Sequence, residues 1–156
     1  MKHHLQLQEF MDQSLQIEGI FRGPTEEELS ATQSFLQLKE LDIAALCSLQ
    51  RTYAPGHKLR NQPGLNVRVG THVPIPGGPR VEEELQLIID RVNDRQFTPF
   101  KNHVAFEMLH PFTDGNGRVG RTLWWWDRTK RGLDFMPPLV FLHAWYYETL
   151  EYFQSD

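Results

Sequence analysis

The 156-residue chain has one cysteine, Cys47, and so no internal disulfide; set among Ala45, Leu46 and Leu49, it reads as a small buried hydrophobe in a reducing compartment. No uninterrupted apolar run approaches the ~18 residues that cross a bilayer. The start Met1-Lys2-His3-His4-Leu5-Gln6 is too polar for a signal peptide, so a cytoplasmic protein without a membrane partner is expected. An excess of positive charge is missing as well. Sixteen Lys plus Arg against 20 Asp plus Glu leave a net charge of −4, which repels a nucleic-acid backbone. The loop G-x-x-x-x-G-K-[ST] is absent, and His57, His72 and His103 lack the spacing of zinc ligands. What is present is ordinary globular usage, 40% apolar and 23% charged, at a length suited to one domain over residues 1–156.

Helical spacing dominates. Leu7, Phe10, Met11, Leu15 and Ile17 share a stripe closed by Gly19 and Gly23-Pro24, which predicts a short helix over 7–20. Thr25 stands three residues before Glu28, so each side chain can satisfy the other's free amide at a helix start. Asp42 is placed to cap a third helix that carries Ala45, Leu49 and Tyr53 up to Pro55-Gly56. Val81, Leu85, Ile88, Ile89 and Val92 form a fourth stripe, with Glu82 to Glu84 at the end where acids suit the helix dipole. Thr98-Pro99 opens a fifth helix through Leu109, a sixth runs from about Asn116 to Lys130-Arg131-Gly132, and Pro137-Pro138 opens the last.

Trp124-Trp125-Trp126 spans about 200° of a helix circumference, so at least one of the three is expected at the surface. A core-and-interface role is preferred to a ligand stack, and a homo-oligomer stays open.

Between Ala54 and Arg80 lie ten of the 21 Gly and Pro residues, a density that excludes a helix. Asn66-Val67-Arg68-Val69 alternates like a strand and Pro76-Gly77-Gly78-Pro79 is turn chemistry, so residues 66–80 are expected to form an exposed flap, with His72 facing solvent. The expected architecture is a compact all-α bundle with a short β-hairpin flap.

The chemistry concentrates in His110-Pro111-Phe112-Thr113-Asp114-Gly115-Asn116-Gly117-Arg118-Val119-Gly120-Arg121, between two helical patterns. Gly115, Asn116 and Gly117 leave backbone amides unobstructed at a helix start, the setting of an anion nest. Arg118 and Arg121 are neighbours on the first turn, and guanidinium forks suit phosphate oxygens. Asp114 is one hard carboxylate, too little for a protein-only metal cage but suited to Mg²⁺ that leans on substrate phosphates. His110 is the side chain able to accept a proton near neutral pH, hence the candidate general base. Phe112 turns inward and anchors the loop. The same stretch also matches G-x-G-x-x-G, with Asp134 in the place of a ribose acid. A dinucleotide fingerprint follows a strand, however, and Phe100 to Leu109 reads as helix.

These twelve residues resemble the signature of the Fic family, H-P-F-x-[DE]-G-N-G-R-x-x-R, at every specified position, and the wider likeness runs from about Gln13 to Leu150. The resemblance implies an all-α fold with a hairpin flap and transfer of AMP from ATP to a Tyr, Thr or Ser hydroxyl of a target protein. By carry-over His110 deprotonates the hydroxyl and Asp114 holds Mg²⁺. Gly115, Asn116 and Gly117 bind phosphate, and Arg118 and Arg121 hold the β and γ phosphates. Tyr146-Tyr147 stands where relatives carry a Tyr pair near the nucleotide, but His143-Ala144-Trp145 departs from their Arg-x-x before it. The flap residues Val69, Gly70, Thr71, His72 and Val73 would align the target chain as an added strand. Gly117, where the related Doc kinases carry Lys, favours adenylyl over phosphoryl transfer.

The family's inhibitory pattern [ST]-x-x-x-E-[GN] is matched by Ser14-Leu15-Gln16-Ile17-Glu18-Gly19. It implies that Glu18 pairs with Arg121 and puts a negative charge where the γ phosphate must lie. Three readings stay open on these residues: an autoinhibited AMP transferase, a de-AMPylating hydrolase or other phosphotransferase on the same site, and a catalytically idle binding module.

Overall fold

The structure, a computed structural model, describes residues 2–133. Six helices follow one another: α1 (Lys2–Ile17), α2 (Glu26–Leu36), α3 (Ile43–Tyr53), α4 (Pro79–Asn93), α5 (Pro99–Leu109) and α6 (Asn116–Lys130). Three begin at caps legible in the chain. Thr25 Oγ1 accepts from the Glu28 amide at 3.1 Å, Asp42 Oδ1 from the Ala45 amide at 2.7 Å and Thr98 Oγ1 from the Lys101 amide at 3.1 Å. Each cap satisfies an amide that the helix itself cannot, worth about 1 kcal/mol. The expected helix after Pro137-Pro138, and Tyr146 and Tyr147 within it, lie outside the described residues.

α6 is the hub, packed against α1, α2, α3 and α5, and every residue from Arg118 to Asp127 on it is buried. This corrects the expectation of an exposed tryptophan. Trp124, Trp125 and Trp126 are 7%, 8% and 2% exposed, because a helix enclosed on all sides has no solvent face for them. Phe10 of α1 lies 4.5 Å from Trp125 between ring centroids, His103 of α5 stacks on Trp124 at 4.8 Å, and Trp126 Nε1 donates to the Leu38 carbonyl at 3.0 Å. The remaining core joins Leu46 and Leu49 of α3, Val81, Leu85, Ile88, Ile89 and Val92 of α4 and Phe106 of α5 around Phe112 and Leu123. Burying each such side chain contributes roughly 1.5–3 kcal/mol. Cys47 is half-buried rather than fully enclosed, with desolvation raising its thiol pKa. No helix among the described residues is long and apolar enough to cross a membrane.

α1 begins earlier than its stripe suggests, since nothing between Lys2 and Leu7 breaks it, and it stops at Ile17. The stop is local chemistry. Gly19 takes φ +72°, the Gly19 amide donates to the Gln16 carbonyl (3.0 Å) and the Ile20 amide to the Leu15 carbonyl (2.9 Å), the paired bonds of a glycine-closed helix end. Glu18 is therefore the last residue before the chain turns away.

The segment from Ala54 to Arg80 is not the open hairpin that its alternation suggests. Val69 and His72 exchange two backbone hydrogen bonds of 2.9 Å around Gly70-Thr71, and no longer ladder forms among the described residues. Polar groups that a hairpin would pair across strands are taken elsewhere. The Asn66 side chain accepts from the Gly77 amide (2.9 Å), and the Leu65 and Ile75 carbonyls accept from Arg60. His72 does not face solvent: it is half-buried, and its Nε2 lies 2.8 Å from the Met108 carbonyl, tying the flap to α5.

Candidate functional site

The motif loop leaves α5 at His110, which caps the helix in the left-handed region (φ 51°, ψ 61°), and Pro111 forbids continuation. Across the loop runs the segment 58–60. The Arg60 amide donates to the Pro111 carbonyl (2.8 Å), the Thr113 amide to the Lys58 carbonyl (2.9 Å), and Leu59 faces Phe112 in an antiparallel bridge. Phe112 is fully buried, so the apolar residue of the motif is its anchor.

Asn116 acts on the loop itself. Its Oδ1 accepts from the Phe112 amide (2.9 Å) and its Nδ2 donates to the Phe112 carbonyl (2.8 Å), so its side chain holds the loop closed. Gly115 enters α6 with φ +84° and no side-chain cap, which leaves the first amides of the helix without intrahelical acceptors. A β-carbon there would press on Ala54 Cβ at 3.1 Å. Gln50 Nε2 donates to the Asp114 carbonyl at 3.2 Å and sets that residue's backbone. The Asp114 carboxylate faces solvent, with His57 Nε2 at 3.9 Å and Arg118 Nη2 at 4.0 Å. A lone solvent-facing hard oxygen donor fits a divalent cation that keeps its waters and shares phosphate oxygens.

The two motif arginines do not converge as first-turn neighbours. Arg118 turns toward α3, where Nη1 donates to the Tyr53 carbonyl at 2.6 Å, and its buried Nε has no partner among the described residues. Arg121 turns toward α1: Nε donates to Ser14 Oγ (2.9 Å), and Nη2 donates to the Ser14 carbonyl (3.1 Å) and to Glu18 Oε1 (2.7 Å). Ser14 and Glu18 are one helical turn apart, so both oxygens face the same way. The Ser14 carbonyl also belongs to the negative end of α1, which suits a cation. The same Glu18 oxygen lies directly over Gly117, where any β-carbon would collide with it. A carboxylate thus occupies the space above the glycine, beside Arg121.

His110 is half-buried, and its Nδ1 is shielded from solvent. Its pKa is pushed down to about 4, chiefly by burial and then by the Arg60 and His72 charges, against the raising effects of the Glu107 carbonyl and of Glu18. At neutral pH the imidazole is uncharged and able to take a proton.

Two buried polar residues near the loop escape a reading of the sequence. Arg60 sits in the Gly/Pro-rich stretch with nothing to mark it as buried, yet it is 0% exposed. Glu107 was detectable in principle, because it stands between the apolar residues Val104, Ala105, Phe106, Met108 and Leu109 of α5. Its Oε1 has no hydrogen-bond partner among the described residues, lies 4.0 Å from His103 Nε2 and packs on Gly120. Burial raises the Glu107 pKa to about 8, outweighing the pull of Arg121, and burial lowers that of His103 to about 3.

Glu107 therefore stays protonated in the folded protein where it ionises in the unfolded chain. The stability it contributes is full below its ordinary value of 4.5 and is lost as pH rises to about 8. Thermal melts at pH 5 and pH 8.5 are expected to show a larger fall in Tm for the parent than for Glu107→Gln, which cannot ionise. Equal falls would refute the neutral acid.

The sequence matches the family model described as the Fic/DOC family over residues 37–126, more than half of the chain, and the chain belongs to that family. Among solved structures it is similar to a Fic domain containing signaling protein from Bacteroides thetaiotaomicron VPI-5482. The TM-score is 0.67 at 17% identity, with 96% of this chain and 73% of that chain covered. No curated protein matches it in sequence.

Proposed function

We propose that the chain is a protein adenylyltransferase, moving AMP from ATP to a hydroxyl side chain of a target protein and restrained by its own Glu18. The observation that carries this reading is the Glu18 carboxylate lying over Gly117 and bound to Arg121 at 2.7 Å, a built-in anion in a site shaped for one. With Glu18 withdrawn, the amides at the start of α6 and the Arg121 guanidinium would receive phosphate oxygens. Asp114 would hold Mg²⁺, which supplies charge neutralisation on the phosphates.

His110 Nε2 takes the proton of the target hydroxyl as its oxygen bonds to the α phosphorus. The bond from that phosphorus to the bridging oxygen breaks, and pyrophosphate leaves. The low pKa of His110 keeps the ring neutral and ready, and the incoming negative charge of the triphosphate raises its proton affinity where it is needed. Flap residues 69–73 would lay the target chain beside this imidazole.

Incubating the Glu18→Gly protein with α-labelled and, in parallel, γ-labelled ATP and Mg²⁺ tests the reading. Label retained on protein from the α position alone is the expected result. Retention from γ alone would replace it with a kinase, and retention from neither with a binding module.

A further inference from the structure

Arg60 is a buried guanidinium with no carboxylate bonded to it among the described residues. A buried unpaired charge is costly unless dipoles surround it, and here four carbonyls do. Nε donates to the His110 carbonyl (2.7 Å) and Nη2 to the Leu109 carbonyl (2.9 Å), two orphan acceptors at the negative end of α5. Nη1 donates to the Leu65 and Ile75 carbonyls (3.2 and 2.9 Å), one in each leg of the flap. Its own main chain continues the joint, with the amide on the Pro111 carbonyl and the carbonyl accepting from the Gly78 amide at 2.9 Å.

From this geometry we infer that Arg60 is a positioning residue that couples the flap to the His110 imidazole, so that the seat of the target chain sets the placement of the base. The coupling follows from the rigidity of a planar fork. If the flap legs move, Nη1 loses both acceptors while Nε and Nη2 stay held by α5, so the displacement either leaves a cationic N–H dry or drags the backbone of His110, a residue already in the left-handed region. Lysine keeps the charge but cannot span four carbonyls. The inference rests on the adenylyl-transfer reading only where it speaks of turnover; the mechanical link is a property of the chain.

Three variants test it: Arg60→Lys keeps the charge and loses the fork, Arg60→Gln loses both, and Asn66→Ala loosens the exposed flap from Gly77 without touching Arg60. Two readouts need no turnover. Amide hydrogen exchange over residues 66–76 is expected to rise in all three. The NMR titration midpoint of His110 is expected to move up in Arg60→Gln, where a neighbouring cation is removed from a ring that also faces His72 and Glu18, and to hold in Arg60→Lys. The His110 ring resonances are expected to shift in Asn66→Ala although the substitution lies on the flap.

In a Glu18→Gly background, kcat is expected to fall about tenfold or more in each variant, with KM for ATP within about twofold, because the hydrogen bonds of Arg60 go to α5, the loop and the flap rather than to residues 114–121. If Asn66→Ala raises flap exchange but leaves the His110 resonances where they were, the coupling is overturned; it is overturned equally if both Arg60 variants fold with unchanged exchange. A Glu18→Gly protein that transfers no AMP would sink the functional reading and leave these spectroscopic outcomes to decide the link.

Discussion

Glu18→Gly is expected to raise the initial rate of AMP transfer onto protein by roughly 10- to 100-fold at ATP below saturation. The scale follows from the interaction removed. A charge-assisted bond to Arg121 is worth about 1.5–3 kcal/mol, and each 1.4 kcal/mol is a factor of about ten. The substitution also takes away the oxygen above Gly117, so a triphosphate bound as proposed would gain both the Arg121 clamp and room. Glu18 lies beyond the last turn of α1 with a side chain 31% exposed, and Ser14 keeps its two bonds to Arg121, so the fold is expected to survive the change. Label incorporation from α-labelled ATP measures the effect. Equal rates in parent and variant would mean that the Glu18–Arg121 pair holds α1 in place without restraining chemistry. Arg121→Ala in the same background is expected to cancel the gain.

The second large effect falls on His110. Asparagine is the replacement of choice, because it tolerates the left-handed backbone that His110 adopts but cannot take a proton. His110→Asn in the Glu18→Gly background is expected to lower AMP transfer by about 10²- to 10⁴-fold, the usual contribution of a positioned general base. Nucleotide binding, measured by calorimetry, is expected to hold, since the residues proposed to receive the phosphates are Asp114, Arg121 and the first amides of α6. A variant that retained most of the activity would assign the proton to another acceptor. His57, beside Asp114, would then be the next to test.

Much of this is legible in the chain alone. Thr25, Asp42 and Thr98 announce their helices because a cap is a contact within four residues. The stripe of α4 announces its buried face because the period of a helix is local. The motif from His110 to Arg121 is contiguous, and so is the pattern that marks Glu18. The failures share a cause. The three tryptophans, Arg60, Glu107 and His72 owe their surroundings to elements far away in sequence, and the strand-like alternation of 66–69 gave way to acceptors and donors offered by Arg60 and by Asn66.

By itself, the order of residues determined the helical class, the family, and which side chains could perform acid–base and phosphate chemistry, because propensity, capping and a contiguous loop act over a few residues at a time. Folding alone decided that Arg121 meets a carboxylate 103 residues away and that Arg60 gathers carbonyls from both flap legs and from the end of α5, 50 residues distant at His110. The reason is electrostatic. A guanidinium carried into the interior must find oxygen, and which oxygen it finds depends on the packing of α1 and α5 around α6.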